Sequence, residues 1–246
     1  MAGGVTKPSL PIPIVALDVA TLADAKALVA RIGSRADFFK VGLQLFAREG
    51  PPAVAWLRAE SKRVFLDLKL HDIPNTVGRA AASAAALDIE LLTVHAVGGD
   101  AMMRAAVEGA AEGAAETGAK TQILAVTVLT SFDDAGYSAA IGVAGVRAAD
   151  AVLRFAERAR ACGVRGVVCA GPEAAAIRRA HGDAIGTLVP GLRPPGAPVH
   201  DQSRVATPQD VRDAGATWVV VGRAVTAAVD PTRAYDEVIT ALGWPA

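Results

Sequence analysis

The chain has 246 residues, with 25 basic and 25 acidic side chains and a formal net charge of zero. That balance excludes a generalised nucleic-acid surface or a basic membrane patch, but it leaves room for a local phosphate site. Hydrophobic residues make up 52% and charged residues 20%, which suffices for a globular core, and the length suits a single α/β barrel as well as two small domains.

The opening stretch "MAGGVTKPSLPIPIV" carries one Lys and three prolines ahead of the first apolar run. It lacks the continuous apolar core of a secretory signal. No segment approaches the ~18 uncharged apolar residues that a membrane helix needs. The two cysteines, Cys162 and Cys169, lie near a predicted helix end and in a predicted strand. A reduced, cytoplasmic protein is the expectation. The four histidines are scattered, and no Cys/His cluster has zinc-ligand spacing.

Apolar strands alternate with Ala-rich helical stretches along the chain. Residues 1–11 read as an N-terminal extension, and residues 12–246 as one domain. The predicted strands are Ile12–Val19, Phe38–Phe46, Arg63–Leu70 and Leu91–Val97, then Ile123–Thr130, Gly166–Ala170, Ile185–Gly191 and Thr217–Gly222. Segments such as "LADAKALVARI", "NTVGRAAASAAAL", "DAMMRAAVEGAAEGAAET" and "PTRAYDEVITAL" between and after them have helical composition. Eight such units predict a (β/α)₈ TIM barrel in a single domain. An open doubly wound sheet is the alternative, weakened because no GxGxxG turn follows the first strand.

A barrel places its chemistry at the C-terminal ends of the strands. Side chains alternate along a strand, so parity sorts them. In the first strand Ile14, Ala16 and Asp18 share the inward face, while Val15, Leu17 and Val19 pack outward. In the second, Phe38, Lys40 and Gly42 point inward. In the third, Phe65, Asp67 and Lys69 point inward, and Leu66, Leu68 and Leu70 outward. In the fourth, Thr93 and His95 point inward. The mouth is thus expected to hold Asp18, Lys40, Asp67, Lys69 and His95. An isolated Asp–Lys pair would read as a structural ion network. Four charges of alternating sign on three consecutive strands, all at one end, favour a functional site. His95 alone reads as a packing residue, and His71, outside the inward parity, as a loop or interface residue. Neither is assigned chemistry.

The eighth strand ends in Gly222–Arg223, and a Pro- and Gly-rich loop spans Pro190 to Pro208. Barrel phosphate sites are often built from the loops after strands seven and eight. A glycine lets backbone N–H groups approach an anion, and an arginine clamps its charge. The loop, with Arg193 and Gln202, reads as a lid over a phosphate rather than as an idle surface loop.

The stretch "DLKLHDIPNTV" resembles the signature of the orotidine 5′-phosphate decarboxylase family. The resemblance extends over the chain through "ALDV", "FKVGLQLF", "TVHAVGG", "VTVLTS", "VPGLRP", "DQSRVATP" and "VGRAVT", in that order. It implies conversion of orotidine 5′-phosphate to UMP, the last step of de novo pyrimidine biosynthesis, with no cofactor and no metal. Lys69 would protonate the pyrimidine carbon that loses CO₂. Asp67 would face the substrate carboxylate, and Asp72 would complete the charged array. Asp18 and Lys40 would hold the ribose hydroxyls, and Lys40 would also join the charges. Thr130 and Ser131 would meet the pyrimidine edge. Gln202, Gly222 and Arg223 would bind the 5′-phosphate, supported by Arg193. The resemblance also implies a homodimer in which Asp72, Ile73 and Thr76 enter the partner's site. The short Asp-x-Lys-x-x-Asp form is shared with metal-dependent sugar-phosphate lyases of the same superfamily, which remain the alternative. A barrel that only binds nucleotides would be expected to lack the catalytic charges.

Overall fold

The computed structural model describes residues 10–192 and 206–245. Eight parallel strands pair in sequence order and close into a barrel. They are β1 (Ile12–Leu17), β2 (Phe38–Gly42), β3 (Arg63–Leu70), β4 (Leu91–His95), β5 (Gln122–Val126), β6 (Gly166–Val168), β7 (Gly186–Val189) and β8 (Trp218–Val221). β8 returns to pair with β1, from Ile12 opposite Trp218 to Val15 opposite Val221, so the sheet has no open edge.

The helices form the outer ring. They are α1 (Leu22–Ile32), α2 (Leu43–Glu49), α3 (Pro51–Ala59), α4 (Pro74–Ala85), α5 (Asp100–Thr117) and α6 (Asp134–Ile141), then α7 (Ala148–Ala161), α8 (Gly171–His181), α9 (Pro208–Asp213), α10 (Arg223–Thr226) and α11 (Pro231–Ala241). Local chemistry sets their starts. The Thr21 hydroxyl accepts from the Asp24 amide at the head of α1, and Asp230 caps α11 ahead of Pro231. Such caps satisfy amides that have no partner within the helix. Pro74 opens α4, and Ile73 before it is extended, as a residue preceding proline prefers.

Strand parity divides the apolar residues into two layers. Ile14, Ala16, Phe38, Phe65, Leu91, Leu124, Leu188, Trp218 and Val220 fill the barrel interior. Val15, Leu17, Phe39, Val41, Val64, Leu66 and their counterparts pack under the helices. Inside the barrel, large and small residues interlock. A Cβ added to Gly186 would lie 2.6 Å from Cζ3 of Trp218, and one added to Gly166 would lie 2.9 Å from the same atom. The indole therefore occupies space that two neighbouring strands vacate. At the N-terminal end, Arg63 donates to both Glu90 oxygens at 2.7 and 2.6 Å, and its guanidinium lies over the Phe38 ring.

Helices α4 and α5 touch backbone to backbone. Gly109 of α5 lies against the Gly78 carbonyl and Gly113 against the Ala82 carbonyl, too close for any Cβ.

Several strands are shorter than the sequence predicts, chiefly at the C-terminal end, with β7 and β8 also starting one residue later. The largest difference is β2, which stops at Gly42, because Leu43–Phe46 belongs to α2. The run "VGLQLF" is apolar enough to suit either a strand or a buried helical turn. β5 stops at Val126 rather than Thr130. Just past it, the Thr127 hydroxyl and amide both bond the Val168 carbonyl, at 2.7 and 3.2 Å.

Candidate active site

The strand ends of β1, β2 and β3 bring four charges together. Lys40, on β2, sits with its ammonium 2.8 Å from Asp18 Oδ1 and 3.6 Å from Asp67 Oδ2. Lys69, on β3, donates to both Asp67 oxygens at 2.8 Å. Asp67 Oδ1 also accepts from the Thr93 hydroxyl of β4 at 2.8 Å. Lys40 and Asp67 are nearly buried, whereas the Asp18 side chain is 62% exposed. With two charges of each sign, the cluster is neutral as a unit, so a buried carboxylate is tolerated. Burial would raise the Asp67 carboxyl, but Lys40 and Lys69, with hydrogen bonds from Lys69 and Thr93, outweigh it and hold the group below its ordinary range.

Two backbone features make room for this array. A Cβ at Gly42 would come within 2.9 Å of the Lys40 ammonium and 3.2 Å of Asp18 Oδ1, so the glycine leaves that space to the charges. Lys69 has a φ of 52°, a left-handed conformation that a non-glycine residue rarely takes inside a strand. It falls where the register of β3 against β4 shifts, between Leu66 and Leu70.

These residues line a cavity of about 470 Å³ in the barrel mouth, a size suited to a small-molecule ligand. Asp18, Lys40, Asp67 and Lys69 form one side. Phe65, Val126, Val168, Leu188 and Val220 supply apolar floor and wall. Thr130, Pro190, Gly191, Gly222, Arg223 and Thr226 also line it. A shallower depression of about 670 Å³ beside α6 and the loop to α7 carries only Asp134 and Arg147 as charged lining residues. It has no comparable array.

The structure thus gathers Asp18, Lys40, Asp67, Lys69, Thr130, Gly222 and Arg223 around one cavity. Ser131 is exposed and does not line it. Asp72 and Ile73, on the turn between β3 and α4, and Thr76, in the first turn of α4, are exposed and do not line this chain's own cavity. The Asp72 carboxylate accepts from the Ile73 amide at 2.6 Å. Arg193 and Gln202 lie outside the described residues. His95 is a correction: it does not line the cavity. β4 ends at His95, where the chain turns into a short helical turn at Ala96–Gly98, and its ring packs 5.7 Å from that of His71. Burial, reinforced by His71 and Lys69, lowers the His95 pKa.

Sequence reasoning assigned no role to Gly42 or Thr226. Gly42 was findable as an inward glycine two positions beyond Lys40. Thr226 stands one helical turn beyond Arg223 and so shares its face.

Among the described residues, no group of three His, Cys, Asp or Glu side chains has metal-binding geometry, and no helix is long and apolar enough to cross a membrane. Residues 11–238 match the model of the orotidine 5′-phosphate decarboxylase / HUMPS family. The chain is 48% identical over 227 residues to the orotidine 5′-phosphate decarboxylase of Anaeromyxobacter dehalogenans (strain 2CP-1 / ATCC BAA-258), covering 92% of this chain and 96% of the relative. It is 41% identical over 225 residues to that of Bacillus cereus (strain Q1), covering 92% and 94%. The crystal structure of orotidine 5′-phosphate decarboxylase from Lactobacillus acidophilus superimposes with a TM-score of 0.85 at 34% identity, over 96% of this chain and 100% of that one. A closed eight-stranded barrel, a neutral Asp–Lys–Asp–Lys cluster at its mouth and matches over nearly the whole length agree that this chain belongs to the orotidine 5′-phosphate decarboxylase / HUMPS family.

Proposed function

We propose that this chain decarboxylates orotidine 5′-phosphate to UMP by fixed charge alone, as the last step of de novo pyrimidine synthesis. The carrying observation is the Lys69 ammonium, held 2.8 Å from both oxygens of a nearly buried Asp67 in the cavity. Breaking the bond to CO₂ leaves its electron pair on the ring carbon, where little conventional delocalisation is available. A pre-positioned ammonium stabilises that charge and then delivers its proton to the same carbon. Asp67, through both its oxygens, keeps the Lys69 ammonium aimed. Asp18 and Lys40 hold the ribose hydroxyls, a role supported by their pairing at the cavity wall. Thr130, with Ser131 beside it, meets the pyrimidine edge.

Gly222 and Arg223, with Arg193 and Gln202, bind the phosphate. That group is remote from the bond broken, so its binding energy is free to bring the substrate carboxylate against Asp67. A second copy of the chain supplies Asp72, Ile73 and Thr76 to this site, a role supported by the 65% exposure of Ile73. Residues 12–246 form the catalytic barrel and residues 1–11 an extension. A cytoplasmic location suits two buried cysteines that form no disulfide.

The test is direct. Purified protein treated with chelator is mixed with orotidine 5′-phosphate, and loss of the orotate absorbance is followed. Turnover without metal is expected. No turnover, or turnover only after divalent metal is added, would refute the reading, and the second result would favour a sugar-phosphate lyase. Lys69→Ala is expected to lower kcat by at least about 100-fold. A variant near wild type would remove Lys69 as the proton donor.

A further inference from the structure

We propose that Thr93 is a positioning residue for the reaction, one hydroxyl that aims both Asp67 and Lys69. The inference rests on the decarboxylase reading above.

It starts from the register of β3 against β4. Leu66 pairs with Leu92 and Leu70 with Val94. Asp67, Leu68 and Lys69 therefore bulge between those pairs, with only Thr93 opposite them. A bulge leaves backbone groups without their ladder partners. The Lys69 amide finds one in the Thr93 hydroxyl oxygen, at 2.9 Å. The same hydroxyl donates to Asp67 Oδ1 at 2.8 Å. Charge fixes this polarity. An ionised carboxylate can only accept, and an amide can only donate, so the hydroxyl must serve one with its proton and the other with a lone pair. Thr93 is fully buried, and water does not reach it to stand in for either bond.

The two bonds do different things. The bond to Asp67 fixes the carboxylate oxygen that also receives the Lys69 ammonium. The bond from the Lys69 amide ties down a backbone with φ at 52°. Such a conformation is unfavourable for a non-glycine residue and persists only where its surroundings over-determine it. Without the tie, the Lys69 backbone relaxes, and its ammonium moves relative to the reacting carbon. Small misplacements of a proton donor lower turnover more than binding.

Thr93→Val keeps the shape and removes the hydroxyl. Thr93→Ser keeps the hydroxyl and removes a methyl. Thr93→Ala makes the valine comparison should the valine variant not fold. Steady-state kinetics are measured beside wild type, and exchange of the Lys69 amide is followed by NMR in the unliganded proteins. In Thr93→Val, kcat is expected to fall about 10- to 100-fold with KM within about threefold. The Lys69 amide is expected to exchange faster. Thr93→Ser is expected to restore both towards wild type, which a purely space-filling role would not produce. Wild-type kcat and exchange in Thr93→Val overturn the proposal, as does equal damage in the serine and valine variants. An inactive wild type overturns the decarboxylase reading instead, and the amide exchange then still decides whether Thr93 holds Lys69.

Discussion

Replacing Lys40 by methionine isolates the worth of one cation in the mouth cluster. Lys40 pairs with Asp18 at 2.8 Å and with Asp67 at 3.6 Å. Exposure reverses the ranking that distance suggests. The Asp18 side chain is 62% exposed and Asp67 12%, so the shorter pair is solvated and worth about 0–1 kcal/mol. The longer pair lies where the effective dielectric is low. At an effective value near 20, it represents about 4–5 kcal/mol of gross attraction. Removing one member of a buried pair usually costs about 3–5 kcal/mol, but Asp67 keeps Lys69 and Thr93, so we expect Lys40→Met to destabilise the fold by about 2 kcal/mol at pH 7.

That loss depends on pH, with a defined sign. The folded Asp67 carboxyl lies below its reference value of 3.8, so the stabilisation is complete above that value and is lost as pH falls through the folded one. The gap between wild type and variant should therefore hold from neutral pH down to 3.8 and narrow only as the solution is acidified below it. Urea denaturation on both sides of that value measures it, with the slope checked for constancy. Equal stability at pH 7, or a gap that does not change on acidification, would refute the idea that Lys40 stabilises the fold mainly through Asp67.

Two further outcomes concern the scaffold. Gly186→Ala sets a methyl 2.6 Å from Trp218 Cζ3, in a ring that is only 4% exposed. It should cost about 1–3 kcal/mol by denaturation, and adding Trp218→Phe should recover part of the loss. No recovery would place the strain elsewhere. Burial, reinforced by the Asp37 carboxylate, pushes the Tyr235 phenol up to about 12. Since the folded value exceeds the reference of 10.0, stability is lost as pH rises between the two values. An ultraviolet titration should show phenolate from Tyr235 only near the upper value, and Tyr235→Phe should remove that component. Ionisation near 10.0 would contradict the burial.

The parts of the barrel set by alternation were legible in the sequence. Val15 and Leu17 face the helices and Ile14 and Ala16 the interior, as period-two patterning requires. The charged positions Asp18, Lys40, Asp67 and Lys69 followed from the same parity. What escaped it lies at strand ends, where alternation stops carrying information. Phe46 reads as strand because an apolar run fits a helical turn equally well. His95 shares the parity of Thr93, yet the chain turns immediately after it, and its ring goes to His71. The bulge opposite Thr93 was invisible for a different reason. Register is a relation between two strands, and one strand's pattern does not specify how far its neighbour slips.

The backbone contact between α4 and α5 has a consequence for mechanical tolerance. Where helices meet through side chains, a change of rotamer can absorb a small error. Between Gly109 and Gly78, and between Gly113 and Ala82, there is no side chain to adjust. The position of α4 is therefore indexed to α5 with the stiffness of the main chain. The turn proposed to enter a second barrel leads straight into Pro74, the first residue of α4. On that proposal, a mismatch introduced on α5, well away from every charge in its own cavity, would be carried along α4 to the turn offered to a second copy of the chain.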